Sequence, residues 1–434
     1  MLRFASVILV SILALSVVTF AAAPTSTERP NIVLIFPDDV GLGEIHCTGG
    51  PFNTPNIDRM AAGGMIFTYN YATPLCGPSR CQLLTGRYPF RTGHSSNSKR
   101  SKNAIQPSRE VLIPSVLKKV GYVTASVGKW GQICLGPGEW GFDEYITYEG
   151  SGIYWRHQKK VYEVNGEQYE LPEGKYLPDV MHDFAADFIA RHKDQRFFLY
   201  YPMTHLHEPI LPTPHSKVGA DTNQLYADNI EYMDFLVGRL LDELDRQHLR
   251  EKTLIIFAGD NGSDPFYRNP NAKASTVNGK LVYGEKRQML EGGSRVPMIV
   301  NWPGVTPAGT VNNDLTDFSD FFVTFADLAG APLPDGVKLD GHSFASQFRG
   351  KKGHPRDWVY VEFNGKSYVR DARYKLTGDG EMFDMSEAPF YEIAVAKDTT
   401  DPAANSSRKA LQAVLDNHKA LPRDAPERPA HPRK

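Results

Sequence analysis

Two acidic pairs in this chain each follow a continuous apolar run. Asp38-Asp39 comes just after NIVLIF (Asn31–Phe36), and Asp260-Asn261 just after LIIF (Leu254–Phe257). Neighbouring carboxylates repel one another and are costly to bury unless positive charge sits among them. A hard divalent cation bound through oxygen supplies that charge. Either pair alone reads more readily as a loop or helix-capping group, roles in which Asp and Asn are common. Their matched position after two core strands favours one shared cation site. A third segment, Cys76-Gly77-Pro78-Ser79-Arg80, continues as Cys81-Gln82-Leu83-Leu84-Thr85-Gly86-Arg87. Pro78 suits the first turn of a helix, which puts Cys76 near that helix's N-terminus. The free N–H groups and partial positive charge there favour an anion and activate a nucleophile. Arg80, one turn along, can add charge-assisted hydrogen bonds. On these grounds alone Cys76 is either a low-pKa thiolate or a buried cysteine without chemistry.

The elements that must position these groups alternate. NIVLIF, LIIF and RFFLYY (Arg196–Tyr201) are apolar throughout, as fully buried strands are. Tyr122–Ser126 and Val296–Asn301 continue the strand pattern. Asn56–Ala62, Ser79–Leu84, Leu112–Lys119, Met181–Ile189 and Asp317–Leu328 read as helices. Ile230, Met233, Val237, Leu240, Leu241 and Leu244 fall on one face of another, at helical period. Strands alternating with helices predict an α/β fold, with a central, mostly parallel sheet flanked by helices. Ligands in such folds sit beyond the carboxyl ends of the strands, where both acidic pairs fall. After about Pro355 the pattern shifts to short, closely spaced strands: Trp358–Phe363, Ser367–Asp371, Tyr374–Thr377 and Met382–Asp384. These predict a small C-terminal antiparallel-sheet subdomain. The expected organisation is a main domain over residues 29–350, the antiparallel subdomain over 355–420, and a disordered tail, rich in proline and charge, over 422–434.

A chain of 434 residues can bury a large core, and its formal net charge of −2 gives no basic excess for nucleic acid. Arg3 followed by an apolar stretch from Phe4 to Phe20 and then Ala21-Ala22-Ala23 describes a secretory signal peptide over residues 1–23. Its cleavage leaves no stable membrane span, and the protein is expected to be secreted or periplasmic. The four cysteines, Cys47, Cys76, Cys81 and Cys134, are too few for a disulfide framework. The basic run Lys99-Arg100-Ser101-Lys102 reads as a solvated loop, or as a contact for a polyanionic substrate.

CGPSRCQLLTGR resembles the signature of the formylglycine-dependent sulfatases, within the alkaline phosphatase superfamily: Cys-x-Pro-Ser-Arg followed by Leu-Thr-Gly-Arg. RPNIVLIFPDDVGLGE, TPNIDRMAAGGMIFTYNYA, Gly128-Lys129-Trp130, GDNGS and EGGSRVPMIVNWPG are similar to family segments in the same order. The similarity spans roughly Arg29 to Gly330. The resemblance implies that a maturation enzyme oxidises Cys76 to formylglycine, whose hydrated aldehyde attacks sulfur. It implies that Asp38, Asp39, Asp260 and Asn261, with the modified Cys76, bind one divalent cation, most often Ca2+ in this family. Arg80 would steady the diol, Lys129 and Lys286 would face the sulfate, and His207 of THLHEP would contact the sulfate or protonate the leaving oxygen. The substrate so implied is a sulfated small molecule or, more in keeping with export, a sulfated glycan.

The chain also departs from the family. Many members carry a histidine directly after Gly-Lys-Trp, where this chain has Gly131 and then Gln132, neither able to act as a general base. His94, His205 and His157 are the candidates to replace it in space. Trp140, Tyr145, Tyr154, Trp155, Phe266 and Tyr267 are either sugar-stacking or packing residues. Two rival functions share these motifs. One is a phosphoester or phosphonate hydrolase with the same core, and the other a non-catalytic protein that binds sulfated glycans.

Overall fold

The computed structural model describes residues 29–130, 133–264 and 275–421. In chain order its strands are β1 (Asn31–Ile35), β2 (Met65–Tyr71), β3 (Val123–Lys129), β4 (Glu144–Tyr148), β5 (Val161–Val164), β6 (Glu167–Glu170), β7 (Phe197–Tyr201) and β8 (Thr253–Ala258). A small hairpin, β9 (Thr276–Val277) and β10 (Lys280–Leu281), precedes β11 (Arg295–Asn301) and β12 (Thr310–Asp317). Ten of these form one sheet in the order β12-β2-β11-β8-β1-β7-β3-β4-β5-β6. The stretch β8-β1-β7-β3-β4 is parallel throughout. β11 runs antiparallel to both β8 and β2, and β12 lies parallel to β2.

Successive side chains of a strand point to opposite faces, so one apolar run can feed two layers. Ile32 and Leu34 of β1 join Ile113, Val116, Phe321 and Phe325 on one side of the sheet. Val33 and Ile35 join Met181, Phe188, Ile230, Met233 and Leu240 on the other. The helices supplying these faces are Ile113–Lys118 and Asp320–Ala329 on the first side, and Leu177–Arg191 and Thr222–Arg246 on the second. This is the α/β architecture that the alternating pattern predicts, and no described helix is long and apolar enough to cross a membrane.

Several elements differ from the sequence reading. β2 (MIFTYNY) and β12 (TVNNDLTD) went unrecognised, because polar residues interrupt the first and dominate the second. Asp317–Leu328 is not one helix. Asp317 ends β12, where its carboxylate accepts from Ser319 N at 2.8 Å, and the helix begins at Asp320. The C-terminal strands are β13 (Val359–Phe363), β14 (Lys366–Arg370), β15 (Tyr374–Thr377), β16 (Met382–Asp384) and β17 (Ile393–Val395), antiparallel in sequence order. They carry a helix that the strand reading did not foresee, Pro402–Ala420. It buries only Ala404, Leu411 and Leu415, against Tyr360, Val369 and Leu376, so its apolar stripe is thin. Arg370 of β14 bonds Glu291 Oε1 at 3.1 Å, and Tyr71 OH of β2 donates to the same carboxylate at 3.0 Å. Glu291 of the EGG segment is thereby a buried tie between the two sheets. Residues 1–28 and 422–434, with the expected signal peptide and tail, lie outside the described residues.

His182, on Leu177–Arg191, is buried, and that burial lowers its pKa to about 3. The folded state thus holds it neutral while the unfolded chain protonates it near pH 6.5. Its contribution to stability is complete above that pH and is lost as the pH falls from 6.5 toward 3, at about 1.4 kcal/mol per pH unit. In urea unfolding compared at pH 7 and pH 5, His182→Gln is expected to lose about 2 kcal/mol less than the parent. An equal loss in both proteins would mean that His182 does not titrate this way.

Candidate active site

The carboxyl edge of the parallel strands collects the site. Asp38 and Asp39 follow β1, Lys129 ends β3, His207 follows β7, and Asp260 and Asn261 follow β8. β2, parallel to β8 through β11, ends at the same edge and leads into the helix Cys76–Thr85. Cys76 is the first residue of that helix, and all ten of its residues are buried. The N-terminal N–H groups therefore face the strand ends with little water to compete. Lys129 is placed by a close backbone approach. Gly128, at φ 125°, lies against the Pro202 carbonyl, which a side chain would overlap, and Lys129 N donates to the same oxygen at 2.8 Å.

Charges interlock within the cluster. Arg80 makes a two-pronged contact with Asp260 Oδ2, through Nε at 2.9 Å and Nη2 at 2.6 Å. Lys129 Nζ bonds Asp38 Oδ2, and Lys286 Nζ bonds Asp39 Oδ2 at 2.7 Å. Lys286 also lies 3.2 Å from Asp264. Asp39 sits at φ 60°, a conformation uncommon outside glycine, held because its N–H donates to Asp260 Oδ1 at 3.0 Å and its Oδ1 accepts from Asn261 Nδ2 at 2.9 Å. Burial alone would raise Asp38, but Lys129, His207, Arg80 and Lys286 outweigh it and hold that carboxyl far below the usual range. Asp260 moves the other way. Burial, opposed by Arg80 and joined by Asp38 and Asp39, pushes it up to about 7. Burial would lower Lys286, yet Asp39, Cys76 and Asp38 outweigh it and keep the ammonium charged. Lys129 is raised in the same way, chiefly by Asp38.

The donor set fits a hard cation. Ligand atoms of Asp38, Cys76 and Asp260 lie within 4.8 Å of one another. Asp38 Oδ1 and Asn261 Oδ1 are buried and make no hydrogen bond among the described residues. Buried oxygens that accept no hydrogen bond, beside a carboxylate pushed up chiefly by burial, are what a divalent cation with oxygen ligands would satisfy.

All nine sequence-predicted residues thus reach one edge, and eight form the buried core of the cluster. His207 is half-buried, with Nδ1 2.9 Å from Glu208 O, close enough to Asp38 to act on its charge. Of the substitute histidines, His157 is exposed and His205 is fully buried, its Nε2 3.0 Å from Tyr176 OH. Burial lowers His205 to about 3. His94, buried, packs beside Gly77 in the helix Cys76–Thr85. Trp140 and Tyr154 are packing residues. Trp140 Nε1 donates to Cys134 O at 2.6 Å, and Tyr154 OH donates to His207 O at 2.6 Å, fixing the histidine's loop. Gly131, Gln132, Phe266 and Tyr267 lie outside the described residues. Asn261, in one of two glycosylation sequons, has no exposed surface to carry a glycan. Sequence reasoning missed Asn97, whose Nδ2 donates to Cys76 Sγ at 3.3 Å. An asparagine in a serine-rich loop carries no periodic or motif signal.

A parallel sheet whose carboxyl edge gathers buried carboxylates, fixed cations and a helix N-terminus is the framework of an alkaline phosphatase-like hydrolase. Comparison with known proteins narrows that class. Residues 30–331 match the Sulfatase family, and residues 279–404 match the family described as N-sulphoglucosamine sulphohydrolase, C-terminal. The chain is 35% identical over 387 residues to N-acetylgalactosamine-6-sulfatase of Canis lupus familiaris, covering 82% of this chain and 72% of that protein. It is 27% identical over 443 residues to human arylsulfatase D, covering 82% and 74%. Against human N-acetylgalactosamine-6-sulfatase the match spans about two thirds of the relative's length. The crystal structure of PsFucS1 sulfatase from Pseudoalteromonas sp. superposes with a TM-score of 0.78 at 25% identity, covering 91% of this chain and 92% of that one. The chain belongs to the sulfatase family, whose members named here are sulfuric ester hydrolases.

Proposed function

We propose that this protein hydrolyses the sulfate ester of a glycan, with Cys76, oxidised to formylglycine, as the nucleophile. The observation that carries the reading is the convergence of Arg80, Lys129 and Lys286 on buried carboxylates around the helix that starts at Cys76. The glycan is supported by the 35% identity to an enzyme named for N-acetylgalactosamine 6-sulfate, and the C-terminal match carries a sulfated glucosamine in its name. The basic, apolar and small-residue N-terminus favours export to where sulfated glycans occur.

Asp38, Asp39, Asp260 and Asn261 would hold the cation, calcium by family resemblance, and its charge would lower the energy of the oxyanions that form on sulfate. The hydrated aldehyde would supply one hydroxyl to attack sulfur and a second to expel sulfate afterwards. The chain's own groups do the rest. Lys129 and Lys286, kept charged by Asp38 and Asp39, are preorganised donors to sulfate oxygens, so no reorganisation is needed as charge builds. Arg80, locked on Asp260, fixes the start of the nucleophile helix against the strand ends. His207, half-buried at the rim and held by Tyr154, protonates the leaving sugar oxygen.

Protein made with a formylglycine-generating enzyme should release sulfate from 6-sulfated N-acetylhexosamines and aryl sulfates. Its Cys76 peptide should be about 18 Da lighter, the difference between thiol and aldehyde that a covalent nucleophile of this kind requires. Hydrolysis of aryl phosphate in preference to aryl sulfate would install the phosphoester reading instead. Sulfate-dependent binding without product would install the binding-protein reading.

A further inference from the structure

Beyond the nine residues already placed, one side chain reaches the nucleophile. Asn97 Nδ2 donates to Cys76 Sγ at 3.3 Å, while Asn97 Oδ1 is buried and makes no hydrogen bond among the described residues. The approach depends on position 77. A Cβ there would lie 2.9 Å from His94 Cε1 and closer still to Asn97 Oδ1, so any side chain would drive the carboxamide away. Position 77 is the free position of the Cys-x-Pro-Ser-Arg motif, and here glycine fills it. The loop presenting Asn97 is pinned on both flanks. His94 is fully buried, and Ser96 Oγ bonds the Ser98 and Ser101 hydroxyls, each at 3.0 Å. A buried amide oxygen without a partner is costly, and such atoms persist where something bound satisfies them.

Cys76 Sγ stands in for an oxygen of the hydrated aldehyde, which carries two hydroxyls where the thiol has one atom. The residue after Gly128-Lys129-Trp130 is Gly131, which offers no side chain. We propose that Asn97 is a catalytic residue that binds the nucleophile directly. Its Nδ2 donates to one oxygen on residue 76, and its Oδ1 accepts the proton of the other hydroxyl. Asn97 is not basic. It orients the two hydroxyls, one toward sulfur and one away, and it favours the hydrate over the free aldehyde. This inference rests on the nucleophile reading above.

The test compares the parent with Asn97→Ala and Gly77→Ala, all made with the maturation enzyme and all checked for the lighter Cys76 peptide. On an aryl sulfate, Asn97→Ala is expected to lower kcat about 100-fold, as loss of one preorganised donor does, with KM within about twofold. A second readout needs no turnover. Hydroxylamine should capture the aldehyde at residue 76 about tenfold faster in Asn97→Ala, the effect of one lost hydrogen bond to the hydrate. Gly77→Ala keeps Asn97 but displaces it, so it should reproduce both changes. Combined with Asn97→Ala it should add little, because the two act through one contact. A parent that hydrolyses sulfate, with Asn97→Ala unchanged in kcat and in oxime formation, overturns the role of Asn97 alone. A parent whose Cys76 peptide is unmodified and which releases no sulfate overturns the nucleophile reading and this inference together.

Discussion

Cys76→Ser is expected to end turnover, lowering steady-state kcat by on the order of 10⁵-fold or more, the scale at which removal of a catalytic nucleophile acts. The fold should be untouched. A hydroxyl is slightly smaller than a thiol, it suits the buried first position of the helix Cys76–Thr85, and it accepts from Asn97 as sulfur does. What serine lacks is the second hydroxyl on the same carbon. It can attack once, so the enzyme should release about one equivalent of alcohol product and stop. Quenched-flow measurement of the aryl leaving group, set beside a sulfate assay, separates that single event from turnover. If Cys76→Ser kept a steady rate within about tenfold of the parent, the paired-hydroxyl chemistry would be wrong.

Asp260→Ala should cost both activity and stability, and the two losses can be told apart. Arg80 is 2% exposed and Asp260 is fully buried, so truncating the carboxylate leaves a guanidinium in the interior without its partner. Breaking a buried pair from one side typically costs about 3–5 kcal/mol. The same change removes an oxygen of the proposed cation site, and sulfate release should become undetectable. Asp260→Asn keeps the shape and one oxygen. It should recover part of the stability in urea unfolding and none of the activity. In the parent, chelation should abolish activity and added calcium should restore it. Stability within about 1 kcal/mol of the parent in Asp260→Ala would show that the Arg80 pair matters little to the fold.

The fold was legible in the sequence where burial leaves a simple trace. NIVLIF and LIIF are buried on both faces, so their apolar runs are unbroken and mark the centre of the sheet. The long helix Thr222–Arg246 shows its face for the same reason. β12 hid because it is an edge strand whose first five residues, mostly polar, are exposed or half-buried, so there is no apolar run to see. The helix Pro402–Ala420 hid because three apolar residues suffice to dock it. Within the site, the acidic pairs next to strand ends were readable, since topology alone brings Asp38 and Asp260 to one edge. Asn97 was not, because its position is set by loop packing and by the missing side chain of Gly77, which no local rule encodes. The resemblance carried Lys129, His207 and Lys286, whose local sequences hold no chemistry of their own.

If Cys76 is oxidised as proposed, the burial of the whole Cys76–Thr85 helix would also set a schedule for the protein's biogenesis. Cys76 is 1% exposed, and the motif residues Gly77, Pro78, Ser79 and Arg80 are buried with it. The finished protein therefore offers an oxidising enzyme neither the thiol nor the motif residues that follow it. The site-forming segments run from Asp38 to Lys286, so the nucleophile emerges from the ribosome well before the strand β8 that seals it. On the proposed mechanism, oxidation of Cys76 would belong to that interval. A chain that folds faster than it is modified is committed to a stable, well-packed and inert product. The supply of active protein would then be set by a race between two rates, folding and oxidation, rather than by how much polypeptide is made.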